Sequence, residues 1–236
     1  MSLPLNKLQS PLFECVIPST KTTVQFRPYL VKEEKVLLIA KESGDAKQIY
    51  NAIVQIVSNC LIGQIDVQDL PSVDLEYLFL KIHSKSVSNI SRMSYKDTDD
   101  GKVYSFDVDL DTIEVIETEG HTNKIAINDE LGLIMKYPSV RIVDKIDAAS
   151  DTDLAFDLTV NCIDSVFDSE MVYVFAENSS KEQVEFVENL SIEVYEKIQE
   201  FFSTIPKLEH TLSYTNKNGD IKKIVLRGLT DFFSWG

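Results

Sequence analysis

Three aspartates spaced by two, Asp107, Asp109 and Asp111, are the first residues whose pattern could do chemistry. Alternating acids of this kind open a calcium-binding loop, whose oxygen ligands fall at every second position. That loop also requires glycine at its sixth position and a carboxylate at its twelfth, where Thr112 and Thr118 stand. A strand with one solvated face explains the three acids without a metal. Zinc is served no better. His83, His121 and His210 lie far apart, and Cys15, Cys60 and Cys162 form no close pair. Zinc sites draw on four close-paired ligands, or on three around an open position. No metal site is expected.

Nucleophilic catalysis needs an activated Ser or Cys, and no G-x-S-x-G elbow is present. The eight glycines never form a phosphate cradle of the GxGxxG or GxxxxGK[ST] kind. Two carboxylates suffice for glycoside hydrolysis, but with 38 acids some pair is always on offer, so the signal has no specificity. Catalytic and cofactor-binding residues are therefore expected to be absent, and the chain reads as a non-enzyme. The ending Asp231-Phe232-Phe233-Ser234-Trp235 places three rings in five residues. Phe232, Phe233 and Trp235 either fold back on a core or serve as docking anchors, for which Phe and Trp are favoured.

The acids outnumber the 23 Lys and Arg, for a formal charge of −15 over 236 residues. This disfavours nucleic acid and anionic membrane as partners, since both are bound through Lys and Arg. It leaves a basic protein partner, with Asp107, Asp109 and Asp111 as interaction candidates. Three dispersed cysteines fit a reducing compartment. Neither a leader peptide nor an uninterrupted apolar run of membrane-spanning length is visible. A soluble, cytoplasmic protein is expected.

The elements that position these residues alternate between periods of two and 3.6. Leu12 to Ile17 and Thr22 to Phe26 read as a hairpin, and the ambiguous run Tyr29 to Lys41 as a following helix. Ile49, Ala52, Ile53, Ile56, Val57 and Cys60 mark a helix capped by Asp45 and stopped by Gly63. A second helix starts after Pro71, with Ser72 a candidate cap, Glu76 an acid of its first turn and Leu75, Leu78, Phe79 and Ile82 its stripe. Tyr95 and Tyr104 to Leu110 form a hairpin around Asp100-Gly101, followed by a β-run at Lys124 to Ile127 and an amphipathic stretch from Leu131 to Tyr137 that ends at Pro138. Helix returns from Asp151 or Asp153 through Leu154, Leu158, Ile163 and Phe167. Another follows Ser179 and continues unbroken to Pro206. Leu208 to Tyr214 and Ile221 to Leu226 make the last hairpin, around Asn216 to Gly219. The fold class is α+β: a helical body with β-hairpins at both ends and a small β-rich middle lobe. Expected divisions are 1–93, 94–150 and 151–236, the last forming one continuous domain with 1–93 or standing alone.

The stretch Asp74 to Val87, DLEYLFLKIHSKSV, resembles the D-x-E-Y-L-F-L-x-x-x-x-K-S-V segment of the T-even-type bacteriophage baseplate proteins. Pro18-Ser19-Thr20 followed by Phe26-Arg27-Pro28, the run Leu133 to Pro138, and the terminal hairpin with Gly228 to Phe233 agree with it. Some members of that family carry a small metal ribbon with paired cysteines in the middle lobe. This chain has no cysteine between Cys60 and Cys162, so metal binding is not carried over. The resemblance implies a role in assembling the central baseplate hub, as a structural hub subunit or an assembly chaperone. Its partners would be other hub subunits, and its place the host cytoplasm during assembly or the tail baseplate of the virion. The alternative is a tail-associated hydrolase using a carboxylate pair. A nucleic-acid mimic ranks last, because the acids recur in every segment.

Overall fold

The computed structural model describes residues 10–147 and 154–232. The chain opens with strands β1 (Phe13–Val16) and β2 (Thr23–Phe26), helices α1 (Val31–Ser43) and α2 (Ala46–Cys60), strand β3 (Leu61–Ile62) and helix α3 (Ser72–Ser86). Strands β4 (Ile90–Lys96), β5 (Val103–Asp109), β6 (Val115–Ile116), β7 (Lys124–Ala126) and β8 (Gly132–Met135) follow. Next come helices α4 (Val140–Asp147) and α5 (Leu154–Cys162), strands β9 (Ile163–Phe167) and β10 (Val172–Val174), and helices α6 (Ser180–Glu188) and α7 (Ile192–Thr204). Strands β11 (Lys207–Thr215) and β12 (Ile221–Arg227) and the short helix α8 (Gly228–Phe232) close the chain. Helices and small antiparallel sheets together make an α+β fold. The described residues fall into two compact units: 10–67 with 73–116 and 207–232, and 68–72 with 117–147 and 154–206. Residue 94, where a β-rich lobe was expected to begin, lies inside β4. Residue 150, its expected end, lies outside the described residues.

In the first unit, β1 and β2 pair from Phe13↔Phe26 to Val16↔Thr23, as their alternation predicts. The ambiguous segment that follows is helix. Arg27 donates to Glu33 Oε1 at 2.9 Å and to the Asn59 carbonyl at 3.0 Å. Glu33 in turn accepts from the Leu30 N–H at 2.8 Å, which closes the first turn of α1. Asp45 caps α2, accepting from the Lys47 N–H at 2.8 Å. That helix ends at Cys60 and passes straight into β3, so Gly63 lies beyond its stop. Helix α3 buries far more than a stripe: Val73, Leu75, Tyr77 to Ile82 and Ser84 are all buried. Strands β4 and β5 pair with Tyr95 opposite Tyr104, and β11 and β12 with Tyr214 opposite Lys222. The Tyr214 ring lies 4.6 Å from Tyr104 and 5.6 Å from Phe106, centroid to centroid. Its hydroxyl donates to Asp97 at 2.7 Å, holding the two hairpins together.

The second unit is a sheet in the order β10-β9-β8-β7. Ile125, Leu133, Met135, Ile163 and Val166 form a core with Val187 of α6 and Val194, Ile198 and Phe201 of α7. Ile163 and Phe167 belong to β9, not to the helix expected from their spacing. A short apolar run satisfies either period, and here the ladder with β8 decides. Gly132 of β8 leaves room for the Phe167 ring, which a Cβ would strike. The expected unbroken helix to Pro206 is two helices. Asn189 ends α6, and Ser191 restarts the chain by accepting from the Val194 N–H at 3.3 Å.

Candidate functional site

Four of the expected interaction residues are described, and each has its own partners in the fold. Asp107 is exposed and pairs across the hairpin with Arg92 at 3.3 Å. The strand ends at Asp109, whose carboxylate turns back to accept from the Asp111 N–H at 3.0 Å. Asp111 lies past the strand end, in the turn that follows. It accepts from Lys85 at 2.7 Å and from Ser84 at 2.9 Å, and the Lys85 ammonium holds its carboxyl below the usual range. Phe232 is fully buried, and its carbonyl accepts from Ser91 at 2.7 Å. Phe233 and Trp235 lie outside the described residues.

The residues that carry the family resemblance turn inward. Asp74 is fully buried and takes both the N–H and the hydroxyl of Ser19, in the β1–β2 turn. Burial raises its pKa, and the bonds from Ser19 work against that rise. Lys81 is buried too, and donates to the carbonyls of Asp111 at 2.9 Å and Ile113 at 3.0 Å. Its ammonium lies 4.9 Å from the Tyr77 ring centroid. Burial lowers the Lys81 pKa, while Glu114 and Asp111 oppose that fall. Sequence reasoning missed this anchor, although a lysine inside Leu78-Phe79-Leu80-Lys81-Ile82 was the available signal. His83 shares a 2.9 Å hydrogen bond with the Tyr29 hydroxyl, and burial pushes it down to about 4. His121 bonds Thr204 and Tyr137 at 2.9 and 3.0 Å, and its ring stacks on Tyr137 and Phe201. These groups are spoken for by the fold.

Among the described residues no three His, Cys, Asp or Glu come together as metal ligands. Burial raises the thiols of Cys15 and Cys60 to about 11 and that of Cys162 to about 12, which keeps them protonated and poorly nucleophilic. No helix among the described residues is long and apolar enough to cross a membrane.

Apolar surface is what the structure does leave open. The outer face of α1 carries Val31, Leu38 and Ile39, each more than half exposed. At the edge of the second unit's sheet, Met171, Val172, Tyr173 and Val174 are 58, 63, 45 and 46% exposed. Four consecutive large apolar residues open on both faces of a strand are unlike the scattered exposure of an ordinary surface. The unbroken run MVYV, free of Gly and Pro, was the signal for this edge, and reading by periodicity passes over it.

Neither the curated proteins nor the solved structures give a match to this chain. A family model described as T4 bacteriophage base plate protein matches residues 10–234, nearly the whole length. The inward-turned segment from Asp74 to Val87 and the two terminal hairpins all fall inside that match: the chain belongs to the T4 bacteriophage base plate protein family.

Proposed function

We propose that this baseplate protein acts in assembly of the central hub, through contacts with other hub subunits and without chemistry of its own. It does so as a structural hub subunit or as an assembly chaperone, working in the host cytoplasm where baseplates are built. The observation that carries the reading is the open apolar edge at Met171 to Val174 on a chain of charge −15. Such a surface is stable in water only at a cost that a protein partner removes. The acidic charge then selects among partners by sign and speeds their encounter.

Co-expression with hub proteins followed by size exclusion tests this. A complex that co-elutes at low salt and weakens as salt rises is expected. Failure to co-elute even at low salt would overturn it. Digestion of host cell wall by the purified protein, lost when single acids are replaced, would point instead to a hydrolase.

A further inference from the structure

The geometry points to β10 as a strand-addition site that takes an extended, lysine- or arginine-bearing segment of a partner protein as a fifth strand. The inference rests on the chain's working through protein contacts, but not on which baseplate protein it meets.

The direction of the free backbone groups follows from the ladder. The Asp168 N–H donates to the Met171 carbonyl at 3.0 Å, which fixes the phase of the β9–β10 hairpin. The register then runs Phe167↔Val172, Val166↔Tyr173 and Ser165↔Val174. Hydrogen-bonded and non-bonded pairs alternate in an antiparallel ladder. Tyr173 therefore exchanges bonds with Val166, while Val172 and Val174 direct their N–H and C=O groups away from β9. The Val174 carbonyl is taken by the Asn178 side chain at 3.1 Å. Both N–H groups and the Val172 carbonyl face the open edge. The strand is also held in shape beforehand. Asp168 accepts from the N–H groups of Glu170 and Met171 at 2.8 and 2.7 Å, and from the Tyr173 hydroxyl at 3.0 Å. A preformed strand lowers the ordering cost of binding.

Proteins usually guard such an edge with lysine, proline or a bulge. This edge has none of them. Residues 146–180 contain eight acids and not one Lys or Arg. Asp164, Glu170 and Glu177, beside the strand, are exposed. A second copy is a poor occupant. Antiparallel pairing of two β10 strands about Tyr173 would crowd the exposed Asp164, Glu170 and Glu177 of one copy with the same acids of the other, like charge near like. A strand bearing Lys or Arg meets the same acids with the opposite sign.

The test uses a blocked ten-residue peptide of alternating valine and threonine with lysine at both ends. Its controls are a glutamate-ended analogue and a lysine-ended analogue N-methylated along one edge. Val174 has φ −67°, the angle proline imposes, and its N–H makes no ladder bond. Val174→Pro therefore removes an outward donor and leaves the β9 ladder whole. Binding of the lysine-ended peptide is expected to protect the Val172 and Val174 amides from hydrogen exchange and to weaken with salt. Val174→Pro should reduce the affinity about tenfold with the melting temperature unchanged, and the N-methylated and glutamate-ended peptides should bind far less. Equal binding by the glutamate-ended peptide, binding without protection of the two amides, or dimerisation through β10 would overturn the proposal. So would a folded Val174→Pro protein that binds like the wild type. The N-methylated peptide probes the wild-type chain, so the test survives a variant that does not fold. If hub proteins co-elute with Val174→Pro as well as with wild type, the hub reading stands and strand addition falls. If the peptide binds as expected and no hub protein co-elutes, the reverse holds.

Discussion

Glu76 offers the sharpest thermodynamic test of the fold. It stands on α3 with its carboxylate against Gly228, where an added Cβ would lie 3.4 Å from Glu76 Oε1. Burial alone pushes its carboxyl from 4.5 up to about 7. Between those two pH values the unfolded chain has released the proton while the folded chain still holds it. The folded state binds more protons there, so stability falls as pH rises, and the loss is complete above about pH 7. At about 1.4 kcal/mol per pH unit the cost comes to about 3.5 kcal/mol, and solvent reaching part of the carboxylate trims it to about 2 kcal/mol. Glu76→Gln keeps the shape and cannot ionise. In urea denaturation the variant should match wild type near pH 4.5 and exceed it by about 2 kcal/mol at pH 8. His83 titrates in the same window with the opposite sign, but it is present in both proteins and cancels in their difference. A variant with no advantage at pH 8, or with the same advantage at pH 4.5, would refute the reasoning.

Other outcomes follow from the same physics. Lys81→Met strands the carbonyls of Asp111 and Ile113, and should cost about 2–4 kcal/mol of unfolding free energy by chemical denaturation. His83, lowered from 6.5 to about 4, favours the fold fully above pH 6.5 and progressively less down to about pH 4. Its ring signals in an NMR titration should stay those of the neutral form until the pH nears 4. Ser179→Ala breaks the capping box with Glu182 and should cost about 1 kcal/mol, read as a lowered melting temperature. Cys60 and Cys162 should react with a thiol reagent at pH 7.5 only after unfolding, since both are buried and protonated.

What could be read in the residues was whatever a local signal settles. The β4–β5 and β11–β12 hairpins alternate and carry Asp100-Gly101 and Asn216 to Gly219 at their turns, with positive φ at both glycines. Helix α2 has a clean face and a capping aspartate, so both its existence and its start were legible. The misses came where tertiary contacts overrule a local pattern. Cys162 passes to Ile163 with no Gly or Pro between helix and strand, and only the partner strand β8 makes Ile163 extended. The break at Ser191 looks like one more polar residue until its side chain is seen to cap. Asp111 follows the alternation of its strand in sequence, yet Lys85 and Ser84 on α3 take its carboxylate. Glu76 reads as an ordinary first-turn acid, yet its carboxylate lies against a glycine some 150 residues later, beyond any local rule.

The position of these groups also separates what the family match transfers from what it leaves open. A partner reads surface, and the stretch Asp74 to Val87 shows it little. Asp74, Tyr77 to Ile82 and Ser84 are buried, and Lys85 is bound to Asp111. The segment Asp74 to Val87 therefore encodes how α3 is seated, not whom the protein meets. Part of the acidity has the same inward purpose. Asp45, Asp97, Asp100, Asp109, Asp168 and Glu182 each bind a backbone N–H or close a capping box, so their charge is tied to turns and helix starts. Charge committed in this way still contributes to the field outside the protein, because a carboxylate that accepts from an N–H remains an anion. The surface that chooses a partner must then combine that field with groups the fold has left unsatisfied. Along β10 the two coincide: backbone donors without acceptors, apolar side chains without cover, and acids with no nearby cation in the sequence.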